Sequence, residues 1–232
     1  MLFYFYNMFK NQIAFFIGFC CFTFMNAQKV KINSKYFEDQ LFFGISYNTL
    51  ENTPEGFQQN GFSYGLSFGF IKDIPWNEQR NIGMGIGFGF SFDTYNQNLL
   101  VNNEAANDVF SISNDYDSNH LKINSIDIPF EFRWRTSTLV KYKFWRIYTG
   151  VKFSYLISHQ SKFKFNELSN IDSAIDGINR FQYGVYTSLG YNTWNFYVHY
   201  SITPIFDNSV VTDGLSTINL NPLKLGLVFY LL

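Results

Sequence analysis

The feature that most constrains the fold is a strict alternation over residues 82–92, which read Ile-Gly-Met-Gly-Ile-Gly-Phe-Gly-Phe-Ser-Phe. Large apolar side chains occupy the even positions, and glycine or serine occupies the odd ones. This period of two predicts a β-strand and excludes a helix, because successive strand side chains point to opposite faces. Residues 61–72 repeat the pattern. A soluble sandwich would expose charged residues, so we favour a barrel with its apolar face in lipid and its small residues in a narrow lumen.

Six further segments follow the same rule less regularly, which gives eight predicted strands. They cover residues 40–47, 61–72, 82–92, 123–135, 144–158, 178–191, 194–206 and 221–232. A tilted transmembrane strand needs about 9 to 11 residues, and only the first segment is shorter. The predicted fold class is all-β, an eight-stranded antiparallel transmembrane β-barrel.

Composition excludes three other classes of protein. Charged residues make up 15% of the 232 residues, well below the roughly 25% of a typical soluble domain. The longest apolar run, residues 13–25, is too short for a transmembrane helix, which needs about 20 residues. The net charge of −1 gives no basic surface for nucleic acid, so we expect no nucleic-acid partner.

The connections between the predicted strands alternate between long and short, as in outer-membrane barrels with long outer loops and short periplasmic turns. The long ones, residues 48–60, 98–120, 166–177 and 207–220, contain eleven Asp or Glu and no Lys or Arg. We expect these acidic loops to be extracellular, and we predict that the protein lies in the cell outer membrane with its apolar face against lipid.

The N-terminus has the pattern of an export signal. Lys10 precedes an apolar stretch at residues 13–24, and Ala27 supplies a small residue before the predicted cleavage site. We therefore predict a signal peptide at residues 1–27, a periplasmic segment at 28–39 and the barrel at 40–232. Met8 is an alternative start to Met1. Cys20 and Cys21 fall within the signal peptide, so we expect no disulfide in the mature chain.

Strand parity places ionic residues together on the inward face. In the fourth predicted strand the even positions from 126 to 134 are apolar, whereas the odd positions include charged residues of both signs. Buried charges have to be paired, so we predict a lumenal ion network. The residues assigned to it are Asp127, Glu131, Arg133, Arg135, Arg146, Lys152 and Arg180.

Tryptophans mark the periplasmic rim. All of them lie in or beside the short connections, which is typical of an interfacial aromatic girdle. The predicted girdle consists of Trp76, Trp134, Trp145 and Trp194.

The last strand resembles the C-terminal β-signal that barrel-assembly machinery recognises during insertion. The residues that carry this likeness are Lys224, Gly226, Phe229 and Leu231. The chain ends in Leu232, where the pattern more often has Phe. The likeness implies the assembly machinery as a partner.

The sequence contains little that suggests catalysis. His120, His159 and His199 do not have the spacing of a metal site. His199 and Ser201 resemble the His-x-Ser arrangement of outer-membrane lipid A deacylases, but parity places both in the lumen, away from lipid. Residues 114–119 have alternating oxygen ligands but lack the glycine and final glutamate of an EF-hand loop, which favours a solvated loop. We predict no enzymatic activity, no metal and no cofactor.

Three segments resemble the PorT family of Bacteroidota outer-membrane barrels: residues 65–75, 125–136 and 143–155. The run Phe-Trp-Arg-Ile-Tyr-Thr-Gly at 144–150 is the most particular part, whereas Ile128-Pro129 is shared by a wider group of small barrels. The likeness extends from about Gln40 to the C-terminus. It implies a component of the type IX secretion system, with other components of that system as partners.

An eight-stranded barrel is too narrow to pass a protein, so the resemblance implies an accessory or assembly role. The alternative is a stand-alone small barrel, porin-like or adhesive, that acts through its extracellular loops.

Overall fold

The computed structural model describes residues 39–104, 107–136, 145–166, 168–172, 175–207, 210–212 and 217–231. The predicted signal peptide, most of the predicted periplasmic segment and the turn that contains Lys141 and Lys143 lie outside these residues. Within them the strands are β1 (Gln40–Glu51), β2 (Tyr64–Pro75), β3 (Ile82–Asn96), β4 (Leu99–Glu104), β5 (Asn107–Ile112), β6 (Ser118–Arg135), β7 (Trp145–Phe165), β8 (Leu168–Asp172), β9 (Phe181–Tyr191), β10 (Trp194–Ser201) and β11 (Asn221–Leu231). No helix among the described residues is long and apolar enough to cross a membrane.

Eight of these strands close into an antiparallel barrel. Around the wall the order is β1, β2, β3, β6, β7, β9, β10 and β11, and β11 pairs with β1 to complete the ring. The closing register extends from Leu41 opposite Leu231 to Glu51 opposite Asn221. Closure leaves no unpaired edge in the wall, which a sheet in lipid requires. The predicted fold class is confirmed.

The wall turns its large apolar side chains outward. In β9 every second residue is exposed and the residues between are buried, over the whole length Phe181–Tyr191. Exposed Phe43, Phe68, Phe88 and Phe132 are among the many aromatic residues on the outer face. An apolar surface of this extent is suited to lipid and not to water.

Small residues allow the strands to pack around a narrow lumen. A Cβ atom added at Gly150 would collide with the backbone carbonyl oxygen of Phe130 on the neighbouring strand β6. Glycine is required there because no side chain fits so close an approach of two strands.

All eight predicted barrel strands are present, but several have different bounds. β6 begins at Ser118 and β7 continues to Phe165, because the two strands stay paired as far as Ser118 opposite Lys164. β10 ends at Ser201 and not at residue 206, because the N–H groups of Ile202 and Thr203 both donate to the carbonyl of Tyr183 instead of continuing the regular ladder. β9 begins at Phe181 and not at 178.

The structure also contains strands that the alternation does not predict. β4 and β5 form a separate hairpin within the connection at 98–120, and β8 pairs with the far end of β7. Both additions lie at the end of the barrel with the long connections, which we call the loop end. The opposite end, with the short connections, is the turn end.

Candidate functional site

The lumen near the turn end is filled by a network of two arginines and two acids. Arg133 Nη1 donates to Asp73 Oδ1 at 3.0 Å and Arg133 Nε donates to Glu131 Oε1 at 2.6 Å. Arg135 Nη2 lies 2.5 Å from Asp73 Oδ2, and Arg135 Nε donates to the carbonyl of Arg80 at 2.6 Å. The side chains of Arg133, Arg135, Asp73 and Glu131 are almost entirely buried. We call these four residues the arginine cluster.

Tyrosines enclose the arginine cluster. The guanidinium of Arg133 lies 4.6 Å from the ring centre of Tyr148, a cation–π contact. Tyr230 packs edge-on against Tyr148, and Tyr186 Oη donates to Glu131 Oε2 at 2.7 Å. Arg146 lies within 6.0 Å of the same two rings, Tyr148 and Tyr230. Together these side chains occupy the cross-section of the barrel at this level.

Nearer the loop end, two lysine–aspartate pairs form a second network. Lys152 Nζ lies 3.2 Å from Asp127 Oδ2, and Ser154 Oγ donates to Asp127 Oδ1 at 2.6 Å. Lys224 Nζ lies 2.5 Å from Asp93 Oδ2, which also places this pair in hydrogen-bond contact. We call Asp93, Asp127, Lys152 and Lys224 the lysine cluster.

Two small cavities border the lysine cluster. One, of about 20 Å³, is lined in part by Lys152, His199, Lys224 and Tyr95; the other is about 10 Å³. A cavity needs about 10 to 15 Å³ to hold one water molecule. His199 is buried on the inward face, and neither of its ring nitrogens has a hydrogen-bond partner among the described residues. Neither cavity is large enough for a solute to pass.

Six of the seven residues assigned to the lumenal network are buried in the structure: Asp127, Glu131, Arg133, Arg135, Arg146 and Lys152. The assignment of Arg180 is wrong. Arg180 lies in the bend before β9 with an exposed side chain, because β9 begins one residue later and the alternation that would turn it inward does not extend so far.

Sequence reasoning missed two acids of these clusters. The predicted second and third strands ended at residues 72 and 92, one residue before Asp73 and Asp93. Strands β2 and β3 continue through both residues, so the same parity turns their carboxylates inward. Lys224 was assigned only to the β-signal, although it ion-pairs with Asp93.

Above the lumen, the loop end contains an apolar core. Its buried members come from barrel strands, from the β4–β5 hairpin and from the connections before β9 and β11. We call the following residues the cap: Leu50, Tyr95, Leu99, Val101, Phe110, Leu121, Ile123, Leu156, Ile175, Ile205, Phe206, Val210, Ile218 and Leu220. Phe110 and Phe206 pack edge-on with ring centres 5.3 Å apart. The connections at this end are therefore folded together over the barrel mouth.

The four tryptophans are all exposed at the turn end, and three of them pack against another aromatic ring of the outer face. Trp76 contacts Phe132, Trp145 contacts Tyr191 and Trp194 contacts Phe229, with ring centres 5.2 to 5.9 Å apart; Trp134 is also exposed. The anchoring role assigned to them stays a prediction.

The C-terminal pattern lies on β11, which closes the barrel against β1. Lys224 points inward, whereas Leu231 is exposed. Recognition of this strand during assembly stays a prediction.

A closed eight-stranded barrel with an apolar outer face and charged, filled lumen defines an outer-membrane β-barrel. The chain belongs to the outer membrane protein beta-barrel domain family, whose model matches residues 26–208. It is a protein of the outer membrane.

Solved structures with similarity to the chain include Ail, the attachment invasion locus protein of Yersinia pestis. It is 14% identical, the match covers 83% of this chain and 97% of that chain, and the TM-score is 0.34. A second structure of Ail, in complex with the heparin analogue sucrose octasulfate, is 11% identical with the same coverage and a TM-score of 0.33. The chain has no match among curated proteins.

Proposed function

We propose that this protein is a non-enzymatic, non-conducting barrel that acts through contacts at its two ends. The observation that carries the proposal is the filled lumen. Arg133 and Tyr148 are both 0% exposed at the level of the arginine cluster, and the two cavities near the lysine cluster have room for about one water each. A barrel packed in this way supports neither a protein channel nor a solute pore.

The more specific proposal is an accessory or assembly role in the type IX secretion system. Its support is the resemblance of residues 65–75, 125–136 and 143–155 to the PorT family. The second and third of these segments contribute to neighbouring strands β6 and β7, and Glu131, Arg133 and Arg135 of the arginine cluster lie in the second. Secretion components would meet the barrel at its periplasmic turns or at its outer loops.

A second candidate is a stand-alone barrel that acts through its extracellular end. The folded cap favours this alternative, because loops that only connect strands need no apolar core of their own. Its outer surface includes exposed Asp115 and Asp117. This candidate requires no secretion partner.

A deletion strain separates the two proposals. If the protein serves type IX secretion, its loss leaves unprocessed cargo in the periplasm without otherwise permeabilising the outer membrane, and secretion components copurify with the wild-type barrel. Normal cargo release, with no secretion component retained, would falsify the accessory role and leave the stand-alone barrel.

Charge changes at each end then locate the contact surface. One variant reverses Lys141 and Lys143 in the turn beyond β6, and another neutralises Asp108, Asp115 and Asp117 at the loop end. Heat-modifiable migration on gels verifies that each variant still forms a barrel. The end at which secretion is lost is the end that contacts the machinery.

Planar-bilayer recording tests the non-conducting state directly. The purified wild-type barrel is expected to give no discrete conductance steps in symmetric salt. Reproducible single-channel openings in the folded protein would contradict a filled lumen and support a porin-like role.

A further inference from the structure

Strands β6 and β7 extend beyond the lipid-facing band, the part of the wall whose exposed residues are apolar. On β6 the exposed face is apolar through Ile128 and Ile126, and it becomes polar at Asn124. On β7 the same change occurs after Tyr155 and Ile157, at Ser158, which is paired with Asn124. The two strands therefore leave the apolar layer at the same height and extend together past it.

Basic residues occupy this outward face just beyond the change. His120 is directly opposite Lys162, Lys122 is opposite Gln160, and Ser118 is opposite Lys164. Directly opposed residues of an antiparallel pair point to the same face, so the basic side chains point sideways, away from the barrel axis. We call His120, Lys122, Lys162 and Lys164 the basic patch.

Among the residues that the structure describes, no acid lies directly opposite a member of the basic patch on β3, β6, β7 or β8. Its three lysines take part in none of the ion pairs found among the described residues. On the adjacent strand β3 the facing residues are Thr94, opposite Lys122, and Asn96, opposite His120. The nearby carboxylate of Asp117 accepts the backbone N–H of Asn166 at 3.1 Å.

The patch contrasts with the rest of the loop end. The four connections predicted as outer loops contain eleven acids and neither lysine nor arginine. Burial, together with the nearby positive charges of Lys122 and Lys162, lowers the pKa of His120 below its ordinary value. The lysines Lys122, Lys162 and Lys164 therefore lie together on the outward face of β6 and β7.

The patch begins at the height of the lipid headgroups and extends outward from there. A strand rises about 3.3 Å per residue, so Lys122 lies about 7 Å along β6 beyond Asn124. Lys162 lies about 13 Å along β7 beyond Ser158. The headgroup layer adds about 5 to 8 Å on each side of the hydrocarbon core, and strand tilt reduces these heights by about a quarter. Lys122 thus lies about 5 Å up, within the headgroup layer, whereas Lys162 lies about 10 Å up, just beyond it, and Lys164 lies farther out.

We propose that the basic patch binds the phosphate groups of outer-leaflet lipid. Lysine ammonium groups bind phosphate as point charges, and each basic residue near an anionic membrane surface adds to the attraction. A lipid is the occupant that the geometry favours, because the side chains point sideways into the surrounding leaflet and not toward either end of the barrel. This binding is independent of the proposed role in secretion.

Native mass spectrometry of the whole mature barrel in a maltoside detergent tests the proposal, with lipid A carrying two phosphates as the probe. The test variant combines Lys122→Gln, Lys162→Gln and Lys164→Gln. Each lysine is worth about fivefold in affinity at such a surface, so the triple variant is expected to retain lipid about a hundredfold more weakly. Lipid A with one phosphate is expected to bind the wild type more weakly than the doubly phosphorylated form.

A matched control carries Lys72→Gln, Lys141→Gln and Lys143→Gln, the same loss of charge at the turn end, and is expected to bind like the wild type. Equal retention by the test variant and the wild type would overturn the proposal, and so would an equal loss in the control. Inorganic phosphate at matched concentration is expected not to displace the lipid, and displacement would show a free-phosphate site instead. Lys122→Arg, which preserves the charge, is expected to retain binding. Retained binding would show that substitution at this position does not itself disrupt the fold.

Discussion

The barrel wall and the cap are organised in opposite ways. The wall places Phe, Tyr and Leu on its outer face and encloses Arg133, Arg135 and Glu131. The cap places Phe110, Phe206 and other apolar residues inside and carries acids such as Asp115 and Asp117 on its surface. The change occurs within single strands: Ile123 of β6 belongs to the cap, whereas Asp127, four residues on, belongs to the lumen.

The difference follows from the solvent on each side of the wall. Where lipid surrounds the strands, apolar residues gain nothing by moving inward, so the lumen is left for polar groups that must satisfy one another. Where water surrounds the connections, the hydrophobic effect gathers apolar residues inside. The wall is therefore held together by its closed ladder and paired charges, whereas the cap is held together by burial of apolar surface.

The largest expected effect on folding comes from adding a large side chain at an inward-facing glycine of the wall. A Cβ atom at Gly87 would lie 2.6 Å from the carbonyl oxygen of Phe70 and 2.7 Å from Ile71 Cγ1. Gly87→Leu should therefore prevent the barrel from closing, since the neighbouring backbone cannot move aside. The expected measurement is loss of heat-modifiable migration and of outer-membrane recovery. Phe88→Leu, one residue along on the lipid face, serves as the control and should fold.

The next largest effect should come from breaking the arginine cluster. Glu131→Ala removes one of the two carboxylates that neutralise the buried charge of Arg133. Removing one partner of a buried pair costs about 3 to 5 kcal/mol. Denaturant unfolding followed by tryptophan fluorescence should show a lower midpoint for Glu131→Ala than for the wild type. Glu51→Ala removes an exposed carboxylate and should leave the midpoint nearly unchanged; equal midpoints for the two variants would contradict an essential ion network.

A cavity in the cap should destabilise the connections at the loop end without unfolding the barrel wall. Phe206 is buried against Phe110, and truncation of a core phenylalanine costs about 3 to 5 kcal/mol. We expect Phe206→Ala to increase hydrogen exchange and protease cleavage in the connections while the barrel keeps its heat-modifiable migration. If the variant failed to form a barrel, the wall and the cap would have to be one cooperative unit, and the comparison drawn above would not hold.

The sequence predicts the wall better than the cap, because the two faces of the wall have different surroundings and this difference leaves a local pattern in the sequence. Residues 82–92 alternate because one face meets lipid and the other a crowded lumen, so the period is visible without knowledge of the neighbours. Parity alone also places Glu131 and Arg133 inward. The partners Asp73 and Asp93 were missed only because the predicted strands ended one residue early.

The cap has no such local signature. Leu50, Phe110 and Ile218 are far apart in sequence, and their contact depends on how several connections fold over one another. The strands β4 and β5 of the hairpin are short, and their sequences have no sustained alternation that would distinguish them from an irregular loop. The basic patch was missed for a related reason: Lys122 and Lys162 become neighbours only through the β6–β7 register, and that pairing continues past the predicted strand ends.

The smallest expected effect is a titration at the boundary between the two regions. His120 lies beyond the lipid-facing band, and burial together with the charges of Lys122 and Lys162 lowers its pKa below 6.5. The unfolded chain therefore binds the proton more readily than the folded one. The stability that neutral His120 contributes is present above pH 6.5 and is lost as the pH falls from there to the folded pKa.

In NMR titrations of the labelled histidines, Lys122→Gln should raise the pKa of His120 toward its ordinary value, and Lys72→Gln at the turn end should not. Binding of a phosphate-bearing lipid to the basic patch should raise it as well, because a nearby negative charge favours the imidazolium form. An unchanged pKa in Lys122→Gln would show that this face of β6 and β7 does not act as one electrostatic unit.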